Sequence, residues 1–343
     1  MRTNPHILEV NTQVWLNDLS NKLGKKITLA EIPESYINRI KERGFDAVWL
    51  MGIWQHSPES KQIAQNLPSL NEYLSKILPD YKKEYIGASP YAIYDYKIDA
   101  SFGGEIALAK FRQKLNNLGI KLILDFAGNH LSCDTPYMFS NPEYFITKKE
   151  VSEQEKGLFF QAKNGLWYAH GRDPHYEPWT DTAQLNYAKE ETRQFLLNLL
   201  KKITSMCDGL RCDMVMLMLN KVFSDTWSKY IDKMCPLQEF WEQAVKQMKS
   251  ENPYFILLAE VYWGLEWDIQ ELGFDYTYDK TLYDRLLLSN AQDIQGHLNA
   301  EHLYQMRSLR FIANHDEQSP LKAFGREKSK AAAVACYTLT GAR

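Results

Sequence analysis

Four short apolar runs in this chain end in charged or polar residues. They are Asp125 in LILDFAGNH, Arg211 and Asp213 in DGLRCDM, Glu260 in FILLAEVYW, and His315 with Asp316 in RFIANHDE. Burying a carboxylate behind an apolar run is costly unless the run emerges at a site. Four such runs, spread over nearly two hundred residues, point to parallel strands aiming their carboxyl ends at one pocket. Carboxylates gathered in one pocket are the working parts of glycosidic bond cleavage.

Arg211 and Asp213 are two apart, so on a strand their side chains share a face. A guanidinium beside a carboxylate lowers the carboxylate's pKa and holds it ionised, as a nucleophile requires. The same pair also serves as a plain ion pair at a strand end. Glu260 sits among apolar and aromatic neighbours. Such a setting raises a glutamate's pKa and lets it hold a proton, as a general acid must. Its bland alternative is a strand-end glutamate facing solvent. Asp125, Asn129 and His130 close another run as D-x-x-x-N-H. Aspartates and histidines together also suit a metal, but H-E-x-x-H is absent and the spacings fit no zinc pattern.

Elements must hold these positions. The pattern predicts a first strand over HILEVNTQVW. A helix follows over EIPESYINRIKERG, with Pro33 in its first turn and Gly44 at its end. FDAVWLMGIW reads as a buried strand. The stretch 55–101 reads as irregular, with turn residues throughout. A helix over 104–119 precedes the strand IKLILDF. Further helices are expected over 187–203 and 237–250, around the strand DGLRCDMVM and before YFILLAE. GFDYTY, LRFIAN and VACYTLTG complete eight strands. The class is α/β, and the architecture is a (β/α)8 TIM barrel. Residues 131–181 break the rhythm with Pro, Gly, Asn, Tyr and charge. They read as a small subdomain inserted after the third strand, which leaves the barrel to residues 1–130 and 182–343.

Composition narrows the function. The chain has 343 residues, 45% hydrophobic and 24% charged, with a formal net charge of -3. That is a globular balance without a polyanion-binding face, so nucleic acid is not an expected partner. Five cysteines without a C-x-x-C pair fit a reducing compartment. The start MRTNPHILEVNTQVW has no long apolar stretch and no cleavage site, and no run reaches membrane-spanning length. A cytoplasmic protein without a membrane partner is expected. Aromatics make up 13% of residues; they serve either the core or stacking against sugar rings.

Taken together, the four segments resemble the signatures of the α-amylase family, glycoside hydrolase family 13. DFAGNH resembles the first, GLRCD the second, the strand-ending Glu260 the third and NHD the fourth. SPYAIYDYKIDASFGG and DTAQLNY resemble two flanking stretches of that family, and the likeness covers about residues 7–341. The resemblance implies a retaining α-glycosidase acting on α-glucans or oligosaccharides through a covalent glycosyl-aspartate. It casts Asp213 as nucleophile, Glu260 as acid and base, and Asp316 as the residue that favours the distorted transition state. Arg211 keeps Asp213 charged, His130 and His315 bond sugar hydroxyls, Asp125 supports the pocket wall, and Tyr91 stacks on the sugar. Retention requires the two main carboxyl groups about 5–5.5 Å apart.

The chain also departs from that family. Met214 to Met218 are all apolar where many members are polar, which implies a less polar subsite beyond the cleaved bond. Many members hold calcium between barrel and subdomain. Asn129 matches one ligand position, and Asp173 and Asp181 are candidates for others; no further cofactor is implied. The chain stops at Arg343, after the run read as the eighth strand, so the last helix and the C-terminal β-domain are expected to be missing. The same residues also suit three rivals: a transglycosylase on the same site, a non-catalytic carbohydrate-binding paralogue, and a metallohydrolase. Oligomeric state is not legible.

Overall fold

The computed structural model describes residues 2–343. Seven parallel strands lie in chain order around a curled sheet: β1 (Ile7–Asn11), β2 (Ala47–Met51), β3 (Lys121–Phe126), β4 (Gly209–Cys212), β5 (Ile256–Ala259), β6 (Tyr276–Tyr278) and β7 (Ser308–Leu309). All five residues of β2 and all four of β4 and β5 are buried. Burial on both faces is what unbroken apolar runs allow and what parallel sheets require. Residues 342–343 stand in the eighth position. Ala342 bridges Leu309 in parallel, the Arg310 N–H donates to the Ala342 carbonyl at 2.8 Å, and the Ile7 N–H donates to the Arg343 carbonyl at 2.6 Å. The sheet thereby closes from β7 onto β1. Close packing of β4 on β5 needs Gly209, because a Cβ there would meet the Ile256 carbonyl oxygen at 2.7 Å.

Three expectations are corrected. The first strand ends at Asn11, and Thr12–Leu23 is helical. The Asn11 side chain accepts from the Val14 N–H at 3.1 Å, so a polar residue inside the alternating pattern acts as an N-cap. The stretch 55–101 is ordered. It holds the helices Pro58–Gln65 and Pro68–Ile77 and a short antiparallel pair, Trp54–His56 with Ile93–Ile98. The prolines that read as turn signals sit in first helical turns, where no N–H is missed. VACYTLTG is not the eighth strand: Arg326–Thr338 is a helix, as its alanine run favours, and only the residues after it reach the sheet.

Between β3 and β4 the chain leaves the barrel. His130–Ser132 pairs antiparallel with Thr182–Gln184. Beyond that pair lies a three-stranded antiparallel sheet of Thr147–Lys148, Trp167–Ala169 and Phe159–Gln161. Its buried Phe145, Phe159 and Tyr168 belong to the same apolar core as the barrel helices. This excursion is thus anchored by packing as well as by the strand pair. No helix among the described residues is long and apolar enough to cross a membrane.

Candidate active site

Strand register assembles the site. Arg211 on β4 lies beside Asp125 on β3, and Cys212 beside Ala259 on β5. The next residues continue the ladder: the Asp213 N–H donates to the Phe126 carbonyl at 2.9 Å, and the Glu260 N–H to the Cys212 carbonyl at 3.0 Å. Asp213 and Glu260 therefore leave adjacent strands at the same level. Just past them the backbone is strained, with Met214 at φ 43° and Trp263 at φ 67°. Residues other than glycine rarely take that conformation, and where they do the position is often functional.

Arg211 is fully buried and bridges the acids. Its Nη1 lies 2.6 Å from Asp213 Oδ1 and 3.7 Å from Asp125 Oδ1, and its Nη2 lies 2.8 Å from Glu260 Oε2. The guanidinium is ringed by Trp49, Tyr91 and Tyr278, with ring centres 5.1, 5.1 and 5.5 Å away. Its Nε donates to the Tyr278 hydroxyl at 3.1 Å. One guanidinium fixed from every side thus sets the place of two pocket carboxyls.

A pocket of about 510 Å³ opens above it, lined by Tyr91, His130, Asp213, Glu260, His315 and Asp316 together with Met214, Tyr176, Trp179 and Tyr262. That volume lies in the range of small-molecule sites. Asp125 and Arg211 lie beneath the pocket and line none of it, so they can act on a ligand only through other groups. The Asp125 carboxylate accepts from Trp49 Nε1 at 3.0 Å and from the Gly52 N–H at 3.3 Å. His315 is braced on both nitrogens: Nδ1 is 2.7 Å from Glu9 Oε1, and Nε2 is 3.0 Å from the Tyr91 hydroxyl and 3.3 Å from Asp316 Oδ2. Among these residues Glu9, Trp49, Tyr176, Trp179, Tyr262 and Tyr278 were missed from the sequence. Val215–Met218 turn into the core rather than toward the pocket, so of the apolar run only Met214 lines the subsite.

The electrostatics reverse one expectation. Burial and the neighbouring Glu260 charge push Asp213 well above the usual carboxylate range, against Arg211. Burial also pushes Glu260 up, but the Arg211 charge, the Tyr262 hydroxyl (2.8 Å) and the Met214 N–H (2.9 Å) outweigh it and leave it lowered. Within the pair the Glu260 anion has more hydrogen-bond donors, while the Asp213 anion is opposed by its neighbour's charge. Burial lifts Asp125 to about 6 and drops His130 to about 4, which keeps His130 neutral. His315 is raised: burial opposes its charge, and the hydrogen bond to Glu9 overcomes that. Burial raises Asp316, with His315 opposing.

The three residues considered for calcium are engaged elsewhere. Asn129 Oδ1 accepts from Gln184 Nε2 at 3.0 Å, Asp173 Oδ1 from the His175 N–H at 2.6 Å, and Asp181 Oδ2 from the Ser60 hydroxyl at 2.6 Å. An N–H donor stands where a cation would have to sit against Asn129, so these residues do not fit calcium. Among the described residues no three of His, Cys, Asp and Glu gather as a metal-binding group.

A parallel barrel with its acids at the carboxyl ends of the strands defines a (β/α)-barrel of the catalytic type. The family described as alpha amylase, catalytic domain, matches residues 34–342. The chain belongs to that family. It is 25% identical over 264 residues to alpha-amylase MalA of Haloarcula japonica, a match covering 74% of this chain and 35% of that protein. It is 24% identical over 266 residues to alpha-amylase 3 of Dictyoglomus thermophilum, covering 71% and 49%. The chain thus spans half or less of the length of these relatives. Among solved structures, an α-amylase from Lactobacillus plantarum superposes with TM-score 0.63 at 21% identity, over 95% of this chain and 66% of that one. Trehalose-6-phosphate hydrolase of Bacillus licheniformis gives TM-score 0.68 at 16% identity, over 99% and 64%. At such identities these structures speak for the fold alone.

Proposed function

We propose that this domain cleaves α-glucosidic bonds of α-glucans or oligosaccharides with retention at the anomeric carbon. One observation carries the reading: Arg211 holds Asp213 and Glu260 side by side in a sugar-sized pocket that Asp316 also lines. Two carboxyls held 2.6 and 2.8 Å from the two terminal nitrogens of one guanidinium suit the short separation of a retaining pair and not the wider span that an inverting pair leaves for water. Retention needs one proton on the pair, resting on Glu260 with Asp213 ionised beside Arg211 when the sugar is bound.

The steps then balance. Glu260 gives its proton to the glycosidic oxygen as an Asp213 oxygen bonds the anomeric carbon and the glycosidic bond breaks. Water next enters, Glu260 takes a proton from it, the water oxygen bonds the same carbon, and Asp213 leaves as carboxylate. Asp316, half-exposed where it lines the pocket, would bind ring hydroxyls in the distorted sugar. His315, braced by Glu9, and neutral His130 would bond further hydroxyls, while Tyr91 offers its ring. Residues 131–181, as an inserted subdomain, would supply the far wall through Tyr176 and Trp179. The test is incubation with a mechanism-based α-glucosyl fluoride followed by peptide mass spectrometry. A hexosyl adduct on Asp213 is expected; an adduct elsewhere, or substrate turnover with inverted product, overturns the assignment.

A further inference from the structure

We propose that the Gln184 amide takes the place of a cation at the stem where residues 131–181 leave and rejoin the barrel, so that this chain closes that stem without calcium. The observation is a convergence of oxygens on one nitrogen. Gln184 Nε2 lies 2.9 Å from the Asn129 carbonyl, 3.0 Å from Asn129 Oδ1 and 3.0 Å from the Leu185 carbonyl. An amide nitrogen carries only two protons, yet three oxygens from two segments point at it. Such a set of inward-facing oxygens is what a hard cation collects. Here an uncharged donor does the collecting.

The rest of the junction fits a neutral donor. Gln184 and Asn129 are buried, and the pair is reciprocal, since Asn129 Nδ2 faces Gln184 Oε1 at 3.3 Å. Calcium takes six to eight oxygens and draws on carboxylates among them; the oxygens gathered here are all amide oxygens, and the nearby Asp181 is bonded to Ser60. A cation placed among the three oxygens would meet the Nε2 protons and strand a buried amide. The junction also matters to the pocket. Gln184 pairs with His130 across the two strands, and Asn129 Nδ2 lies 3.3 Å from His130 Nδ1. The clamp therefore sits one residue behind a pocket wall, and Gln184 is a positioning residue.

The test is thermal unfolding of the full chain with chelator and with millimolar calcium, and it stands whether or not Asp213 is the nucleophile. The parent's Tm is expected to be the same in both. Gln184→Glu replaces the donor with an anion among oxygens; its Tm should fall by about 5 °C or more in chelator and recover when calcium is added. Gln184→Ala should fall and not recover. A parent whose Tm drops in chelator and returns with calcium overturns the proposal, because a cation would then be resident. So does a Gln184→Glu variant that is as stable as the parent in chelator, or one that calcium does not rescue. If neither variant folds, calorimetric titration of the parent with calcium decides alone: no binding heat is expected, and stoichiometric binding at this junction overturns the inference.

Discussion

Two buried arginines stand at strand ends of the same sheet, Arg211 on β4 and Arg310 after β7, and they do opposite work. Arg211, on β4, faces three carboxylates: Asp125, Asp213 and Glu260. Arg310, just past β7, faces one. Asp279 follows β6 and is fully buried; it accepts from Arg310 Nε at 3.2 Å, from the Leu282 N–H at 3.1 Å, and lies 2.7 Å from His297 Nε2. In the second cluster one carboxylate balances one guanidinium, and each of its oxygens accepts a hydrogen bond. In the first, acid exceeds base, so a proton must be kept somewhere and can be moved. The ingredients are the same; the surplus of carboxylates separates a reactive site from a clamp.

The sharpest way to break this contrast is to neutralise one acid in each cluster. Asp213→Asn should lower kcat by roughly 10⁴-fold or more and leave the Tm near the parent's, because Arg211 keeps two other carboxylates. Asp279→Asn should do the reverse. It strips Arg310 of its only carboxylate partner, so denaturant unfolding should show a loss of about 3 kcal/mol or more, while the surviving folded enzyme keeps its kcat. A stable Asp279→Asn, or a Asp213→Asn variant that unfolds, would end the distinction between clamp and site.

That distinction was only half legible in the chain. Asp125, Arg211, Asp213, Glu260 and Asp316 stood out because each follows an apolar run, and in a parallel barrel such runs end at one mouth. Asp279 follows a run as well, in FDYTYDK, yet nothing local says that its partners are His297 and Arg310. Glu9 and Tyr262 were illegible for the same reason: a chain with 20 tyrosines does not mark the one that donates to Glu260. Arg211 beside Asp213 was legible because the two are close in sequence, whereas the donors that favour the Glu260 anion come from Met214 and Tyr262 through the fold. Among elements, continuous buried runs were read correctly, and the misses fell where a cap or an alanine run carried the decision: Asn11, Pro58, Pro68 and the helix Arg326–Thr338.

A finer comparison lies within the surplus cluster, between the acid under the pocket and those lining it. Asp125 is raised by burial from 3.8 to about 6. A carboxyl raised in the folded state favours folding most below its unfolded pKa, and that contribution is lost as pH climbs through the folded value. Between pH about 4 and 6 the parent should therefore lose about 3 kcal/mol relative to Asp125→Asn, which cannot titrate there. Unfolding free energies of both proteins across that window check this. If the parent lost no stability relative to Asp125→Asn across that window, Asp125 would be ionised throughout and Arg211 would count it as a full partner.

The smallest change tests whether the pocket's proton is tuned from outside Arg211's reach. Tyr262 donates to Glu260 Oε1 at 2.8 Å, and Tyr262→Phe removes that donor while keeping the ring. A hydrogen bond to a carboxylate stabilises its anion, so its loss makes the pair hold its protons more tightly. Both limbs of the pH profile of kcat/KM report the pair rather than either residue alone. Each should move to higher pH, by roughly one unit, with the maximum rate changed little. A shift to lower pH would mean that Tyr262 favours the protonated form. An unmoved profile would mean that Arg211 sets the pair's titration alone, and the surplus of acid around it would then be governed by one guanidinium, as it is in the Arg310 clamp.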